Sequence, residues 1–221
     1  MEKGIVQQFI EWIIHNGGVF VLLIVIFAET GLFLGFFLPG DSLLFAAGLY
    51  IEDLARSLFG VHYSVLILMV ILASILGNLV GYWFGAKTGD LLFQRKDSLL
   101  FKKKHLYKAK DFYEQYGKAT IFLAKFLPVI RTFAPIIAGI VKMNRATFLF
   151  YNVIGSICWV ASMMLGGHFL QSWVQNRFGF SLKDHIEGIT IAIILITTLP
   201  VIFKIFFGKK KATPVLPPDS E

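Results

Sequence analysis

The sequence predicts an all-α polytopic membrane protein with two re-entrant helical hairpins in a pseudo-inverted repeat, about three spanning helices, and amphipathic interfacial helices. Three observations lead there. The 221 residues are 56% hydrophobic and 16% charged, with 23 Phe and a mean hydropathy of +0.70, too apolar for an ordinary soluble domain of this length. Several windows approach the ~20 apolar residues that an α-helix needs to cross a bilayer, and no run of short alternating strands suggests a barrel. Two apolar stretches are each interrupted by proline or glycine and carry charge inside them, acidic in the first and basic in the second.

Residues 1–18 set Ile5, Phe9, Trp12 and Ile13 near one helical face, with Gln7, Gln8, Glu11 and His15 mostly opposite. This is the pattern of an interfacial helix, too short to span. It lacks the basic leader and small-residue cleavage site of a removable signal peptide, so none is expected. A single membrane domain over residues 19–207 follows. Its first part, 19–51, is apolar but contains Glu29 and the sequence Pro39-Gly40-Asp41. Proline lacks an amide proton and glycine is a poor helix former, so the chain is expected to break there as a hairpin dipping into the bilayer. Carboxylates at such depth are costly, and each marks a candidate functional site.

Residues 64–86 read as a spanning helix ending in a stripe of glycines, Gly77, Gly81, Gly85 and Gly89, at four-residue spacing on one face. Such a stripe lets another helix backbone approach closely; room for moving helices or substrate is a second use. It also leaves open a contact between two copies of the chain. Residues 87–118 carry nine Lys or Arg against four Asp or Glu. They are expected to form a basic amphipathic link along the headgroups, on the cytoplasmic side by the positive-inside tendency.

The second broken stretch, 119–141, holds Lys125 and Arg131, with Pro128 and Pro135 as expected breaks. Spanning helices over 146–170 and 188–207 and a disordered cytoplasmic tail over 208–221, opened by Lys209, Lys210 and Lys211, complete the chain. Counting sides favours re-entry over crossing for 119–141. Were it to cross, Lys142, Arg145 and the lysine tail would all emerge outside, against the charge bias. The first hairpin then enters from the opposite face, the arrangement of an inverted repeat around a midplane site.

Irregular backbone at membrane depth must be buried in protein or line a wet cavity. The two broken stretches are therefore expected to pack together, bringing Glu29 and Asp41 toward Lys125 and Arg131. Such a cluster could be a closed set of ion pairs holding the hairpins in register. It could also work: Arg131 presents a planar fork of donors suited to phosphate, Lys125 a point charge, and a desolvated Glu29 or Asp41 an acid able to load and release a proton.

The net charge of +7 lies mostly between hydrophobic segments, which points to anionic lipid headgroups rather than nucleic acid. The single cysteine, Cys158, excludes an internal disulfide and any cysteine-cluster metal site. The five histidines are scattered, and no zinc-protease, serine-hydrolase or nucleotide-phosphate signature is present, so no enzyme is expected. An intramembrane lipid phosphatase or transferase, or a non-transporting protein of membrane homeostasis, stands as the alternative.

The ordered set Ala28-Glu29-Thr30-Gly31, Phe37-Leu38-Pro39-Gly40-Asp41, Gly77-Asn78-Leu79-Val80-Gly81-Tyr82-Trp83-Phe84-Gly85 to Gly89, Tyr116-Gly117-Lys118, Phe126-Leu127-Pro128-Val129-Ile130-Arg131-Thr132 and Ala138-Gly139 resembles the DedA family of bacterial inner-membrane proteins, over roughly residues 27–167. The resemblance implies two re-entrant hairpins, kinship with eukaryotic lipid scramblases, and no prosthetic cofactor. It also implies translocation of a lipid carrier such as undecaprenyl phosphate, dependent on the proton gradient. The family's essential acids fall on Glu29 and Asp41, and its arginine on Arg131. The sequence departs from the family at Lys125, where arginine is usual, and at Asn78, where aspartate is usual.

Overall fold

The computed structural model describes residues 18–31, 40–94, 120–185, 188, 189 and 192, and all regular structure among them is helical. Residues 1–17 of the expected interfacial helix, residues 32–39 of the first broken stretch, including Pro39, residues 95–118 of the expected link, residue 119, most of the helix expected at 188–207 and the tail lie outside the described residues.

Helix α1, Gly18–Gly31, is apolar until Glu29 and Thr30, and the Thr30 hydroxyl donates back to Ile26 O at 2.8 Å. Helix α2, Gly40–Leu49, begins on the expected break and leads through Tyr50 into α3, Ile51–Ser57. Helix α4, Tyr63–Gln94, passes the glycine stripe and continues beyond the expected end of its span at residue 86. Nothing in Lys87 to Gln94 stops a helix, and the Thr88 hydroxyl finds Phe84 O at 2.8 Å, so loss of hydropathy there is not loss of helix.

The second broken stretch resolves into α5, Thr120–Ala124, and α6, Pro128–Ile140. Pro128 opens α6, where its fixed φ suits the first helical position and its missing N–H costs nothing. Pro135 corrects the expectation: it lies inside α6, not at a break. Its ring packs against Gly81 of α4, and a membrane helix whose neighbours fit its surface tolerates one missing backbone bond. Helix α7, Arg145–Phe178, starts where Asn144 accepts the Thr147 amide at 3.1 Å and ends on left-handed Gly179, φ 74°. It too outruns its expected end at 170. A short 3₁₀ turn, Leu182–His185, follows.

Two of these helices are long and apolar enough to cross a bilayer: α4 over Tyr63–Gly89, 27 residues, and α7 over 34. At ~1.5 Å per residue they reach about 40 and 51 Å, against a hydrocarbon core of ~30 Å. Phe20, Leu68, Phe150 and Trp173 point outward, an apolar exterior that lipid accommodates.

The packing is crossed. Helix α4 takes α1 and α6 one after the other along its glycine face, while α7 takes α2 and α5. Each long helix thus holds one arm from each broken stretch. The contacts are backbone-close: a Cβ on Gly77 would strike Phe27 O and the Thr30 hydroxyl of α1, and one on Gly85 or Gly89 would strike Ile136 O or Ile140 O of α6. Gly48 of α2 meets the Met164 backbone of α7 in the same way. A larger apolar cluster, with Leu22, Ile26, Leu44, Leu66 and Met164 at its centre, fills the side of α1, α2 and α3; a smaller one gathers Tyr82, Ile121, Ala138 and Phe148.

Candidate functional site

All four charged residues singled out from the sequence sit at the breaks. Glu29 lies in the last turn of α1, Asp41 in the first turn of α2, Lys125 just after α5, and Arg131 in the first turn of α6. All four are buried. Arg131 joins the two acids: its Nη1 donates to Asp41 Oδ1 and its Nη2 to Glu29 Oε1. One guanidinium therefore ties the end of α1, the start of α2 and the start of α6.

Gly40 makes this possible. A Cβ there would overlap the Glu29 carboxylate, so only glycine lets the start of α2 close over that acid. The break residue is thereby part of the site.

Beneath the cluster lies Trp159 of α7, fully enclosed. Its indole Nε1 donates to Asp41 Oδ1 at 3.0 Å, the oxygen that Arg131 also uses. The Arg131 guanidinium carbon stands 4.6 Å from the ring centroid and Lys125 Nζ 5.7 Å, both in cation–π range.

Lys125 does not share the carboxylates. Its Nζ donates to Ser74 Oγ of α4 at 3.1 Å and to Ser156 Oγ of α7 at 2.8 Å. From there a polar row crosses the α4–α7 interface. Ser156 reaches Asn152 Oδ1 at 3.4 Å, Asn78 Nδ2 donates to the same oxygen at 2.7 Å, and Asn152 Nδ2 donates to Ile75 O at 3.3 Å. Two acids and two cations balance in charge, yet among the described residues Glu29 Oε2, Arg131 Nε and Asn78 Oδ1 are buried with no hydrogen-bond partner. Such groups cost of order 1–3 kcal/mol each unless a ligand or water answers them.

Sequence reasoning missed Trp159, Ser74, Ser156 and Asn152. Their spacing held a signal: Asn152, Ser156 and Trp159 at i, i+4 and i+7, and Ser74 and Asn78 at i and i+4, place polar groups on one face of each apolar helix. Among the described residues no group of three or more His, Cys, Asp or Glu is placed to hold a metal ion.

Two long apolar helices embracing two broken ones, with a charged cluster at the breaks, define a polytopic membrane protein built around a buried polar site. The VTT domain model matches residues 38–169. The chain is 36% identical over 192 residues to Protein DedA of Escherichia coli K12, covering 87% of this chain and 84% of that one. It is 39% identical over 181 residues to the uncharacterized membrane protein Rv0364 of Mycobacterium tuberculosis H37Rv, covering 82% and 75%. Against the inner membrane protein YqjA of Escherichia coli K12 the identity is 31% over 151 residues, 68% and 66% of the two chains. No solved structure matches. The chain belongs to the DedA family, and it is a multi-pass protein of the bacterial inner membrane.

Proposed function

We propose that this protein is a proton-coupled transporter that moves an anionic lipid, undecaprenyl phosphate or a phospholipid, across the inner membrane without chemical conversion. The observation that supports this best is the double engagement of Arg131 by Glu29 and Asp41. The two donors that hold the carboxylates are the pair a phosphate would seek, so anion and carboxylate compete for one fork.

The electrostatics give the cycle. With both acids ionised the four charges sum to zero and an incoming phosphate gains little. One proton on a carboxylate leaves the site at +1 and frees half of the fork. A unit charge at about 4 Å is worth about 4 kcal/mol at an effective dielectric near 20, close to a thousandfold in affinity. Binding follows protonation, and loss of the proton expels the lipid. The headgroup and the proton travel together.

Access from both sides would come from the breaks. In this reading, residues 19–51 and 119–141 are re-entrant hairpins entering from opposite faces, with the cluster between their tips near the bilayer midplane. Helices α4 and α7 each touch an arm of both stretches, an arrangement that two-sided opening would use.

Reconstitution tests the proposal. Protein in liposomes carrying undecaprenyl phosphate in one leaflet is expected to deliver it to the other, faster under an imposed proton gradient, and Arg131→Ala is expected to abolish the movement in folded protein. No movement in an intact wild-type preparation would remove the transport reading. Phosphate release from undecaprenyl diphosphate would replace it with an enzyme.

A further inference from the structure

The two carboxylates are not equivalent. Asp41 Oδ1 accepts from two donors on two helices, Arg131 Nη1 and Trp159 Nε1, and Asp41 stands in the first turn of α2, where the helix dipole favours an anion. Glu29 stands in the last turn of α1, where the dipole disfavours one. Among the described residues it receives Arg131 Nη2 alone and its Oε2 has no partner, and it is 0% exposed.

The charged groups around Glu29 come from every broken helix. They are Arg131 of α6, Asp41 of α2, and Lys125 after α5, whose Nζ is already committed to Ser74 and Ser156. From α4 the nearest approach to the end of α1 is the backbone of Gly77, which brings no charge.

We propose that Trp159 divides the labour of the two acids: its indole N–H fixes Asp41 as the permanent anion that retains Arg131, leaving Glu29 as the carboxylate that takes the transported proton and yields its half of the fork. This rests on the proton-coupled reading and names the group that carries the coupling. When Glu29 gains a proton, its Oε1 becomes a neutral carbonyl that holds Nη2 far more weakly, while Asp41 keeps Nη1 by charge. The guanidinium stays positioned over the indole with Nη2 and Nε turned free, two donors for the oxygens of a phosphate. Trp159 touches neither proton nor headgroup and is a positioning residue.

Infrared difference spectroscopy on the reconstituted protein, comparing alkaline and acidic buffer, reads protonation without transport. A carboxylic-acid carbonyl band from a buried group is expected in wild type, retained in Asp41→Asn and lost in Glu29→Gln. Labelling glutamate with ¹³C at the side-chain carboxyl shifts the band and labelling aspartate does not, which needs no variant to fold. Trp159→Phe keeps the ring under Arg131 and removes only the donor. The band is then expected to grow and to survive in part when Glu29→Gln is added, now arising from Asp41. Loss of the band in Asp41→Asn, or a shift on aspartate labelling, assigns the proton to the wrong acid and defeats the inference. A Trp159→Phe band unchanged in size and wholly removed by Glu29→Gln defeats the role of the indole. A wild-type protein with no such band overturns the inference as well, whatever the liposome assay gives for lipid movement.

Discussion

Gly40→Ala adds one methyl group at the point where α2 closes over Glu29. That methyl overlaps the carboxylate, so Glu29 must swing away or α2 must lift. Either motion separates Glu29 from Arg131 while the acid stays enclosed, and breaking a buried pair from one side costs about 3–5 kcal/mol. Replacing glycine by alanine in a helix returns up to about 1 kcal/mol. The net expectation is a loss of about 2–4 kcal/mol, measured by reversible unfolding in mixed detergent micelles. A double-mutant cycle separates this cause from simple crowding. With Glu29→Ala already in place the methyl finds room, and Gly40→Ala should cost under about 1 kcal/mol, a coupling of at least about 1 kcal/mol between touching residues. Gly166→Ala is the control: a Cβ there meets nothing within 4 Å, so the substitution should be neutral or stabilising. Additive costs for Gly40→Ala and Glu29→Ala would refute the reasoning that glycine is required by the acid.

Tyr82 donates its hydroxyl to Met143 O in the turn after α6 and stacks on Phe148 with centroids 4.5 Å apart. Tyr82→Phe keeps the stack and strands the carbonyl, for a loss of about 1–2 kcal/mol in the same unfolding assay. In the first turn of α3, Asp53 pairs with Lys183 at 2.6 Å, with both side chains partly solvated. Asp53→Asn should therefore cost under about 1 kcal/mol, less in high salt, and a larger loss would mean that the pair braces the fold. Cysteine placed at Arg145, at the start of α7, should react with an impermeant reagent from the cytoplasmic side only; labelling from outside would rule out re-entry of the second stretch.

The helical membrane class was legible because hydropathy needs no tertiary information. The α2 break was equally plain, since Gly40 punctuates an apolar run that has little other reason to stop. The meeting of Arg131 with Glu29 and Asp41 followed from the cost of burying charge, but the partner of Lys125 did not. A serine in an apolar helix is cheap enough to pass as packing, and only its recurrence with Asn78 or Asn152 distinguishes it. Trp159 was hidden for a different reason. Among 23 Phe and 4 Trp, one indole with a polar task looks in the sequence like the rest. Pro135 misled because helix breaking was weighed without the neighbour that accommodates its ring. Helix ends also ran past the apolar windows, because Lys87 and Gln171 change the solvent a helix prefers without changing its backbone.

The crossed packing also bears on how the chain is made. Asp41 lies 90 residues before Arg131 and 118 before Trp159, and Glu29 lies 102 before Arg131. At roughly 5–20 residues per second, the ribosome delivers the tryptophan about 6–24 s after the aspartate. Until Arg131 is made, 90 of those 118 residues later, the nascent chain holds two acids without their lasting counter-ion, and α2 has no complete α7 to rest on. The first broken stretch is expected to wait in hydrated surroundings, at the membrane surface or in the insertion machinery, and to settle only as α7 emerges. Truncation before α7 should therefore leave a chain that is drawn out of the bilayer and degraded, rather than a stable half-protein.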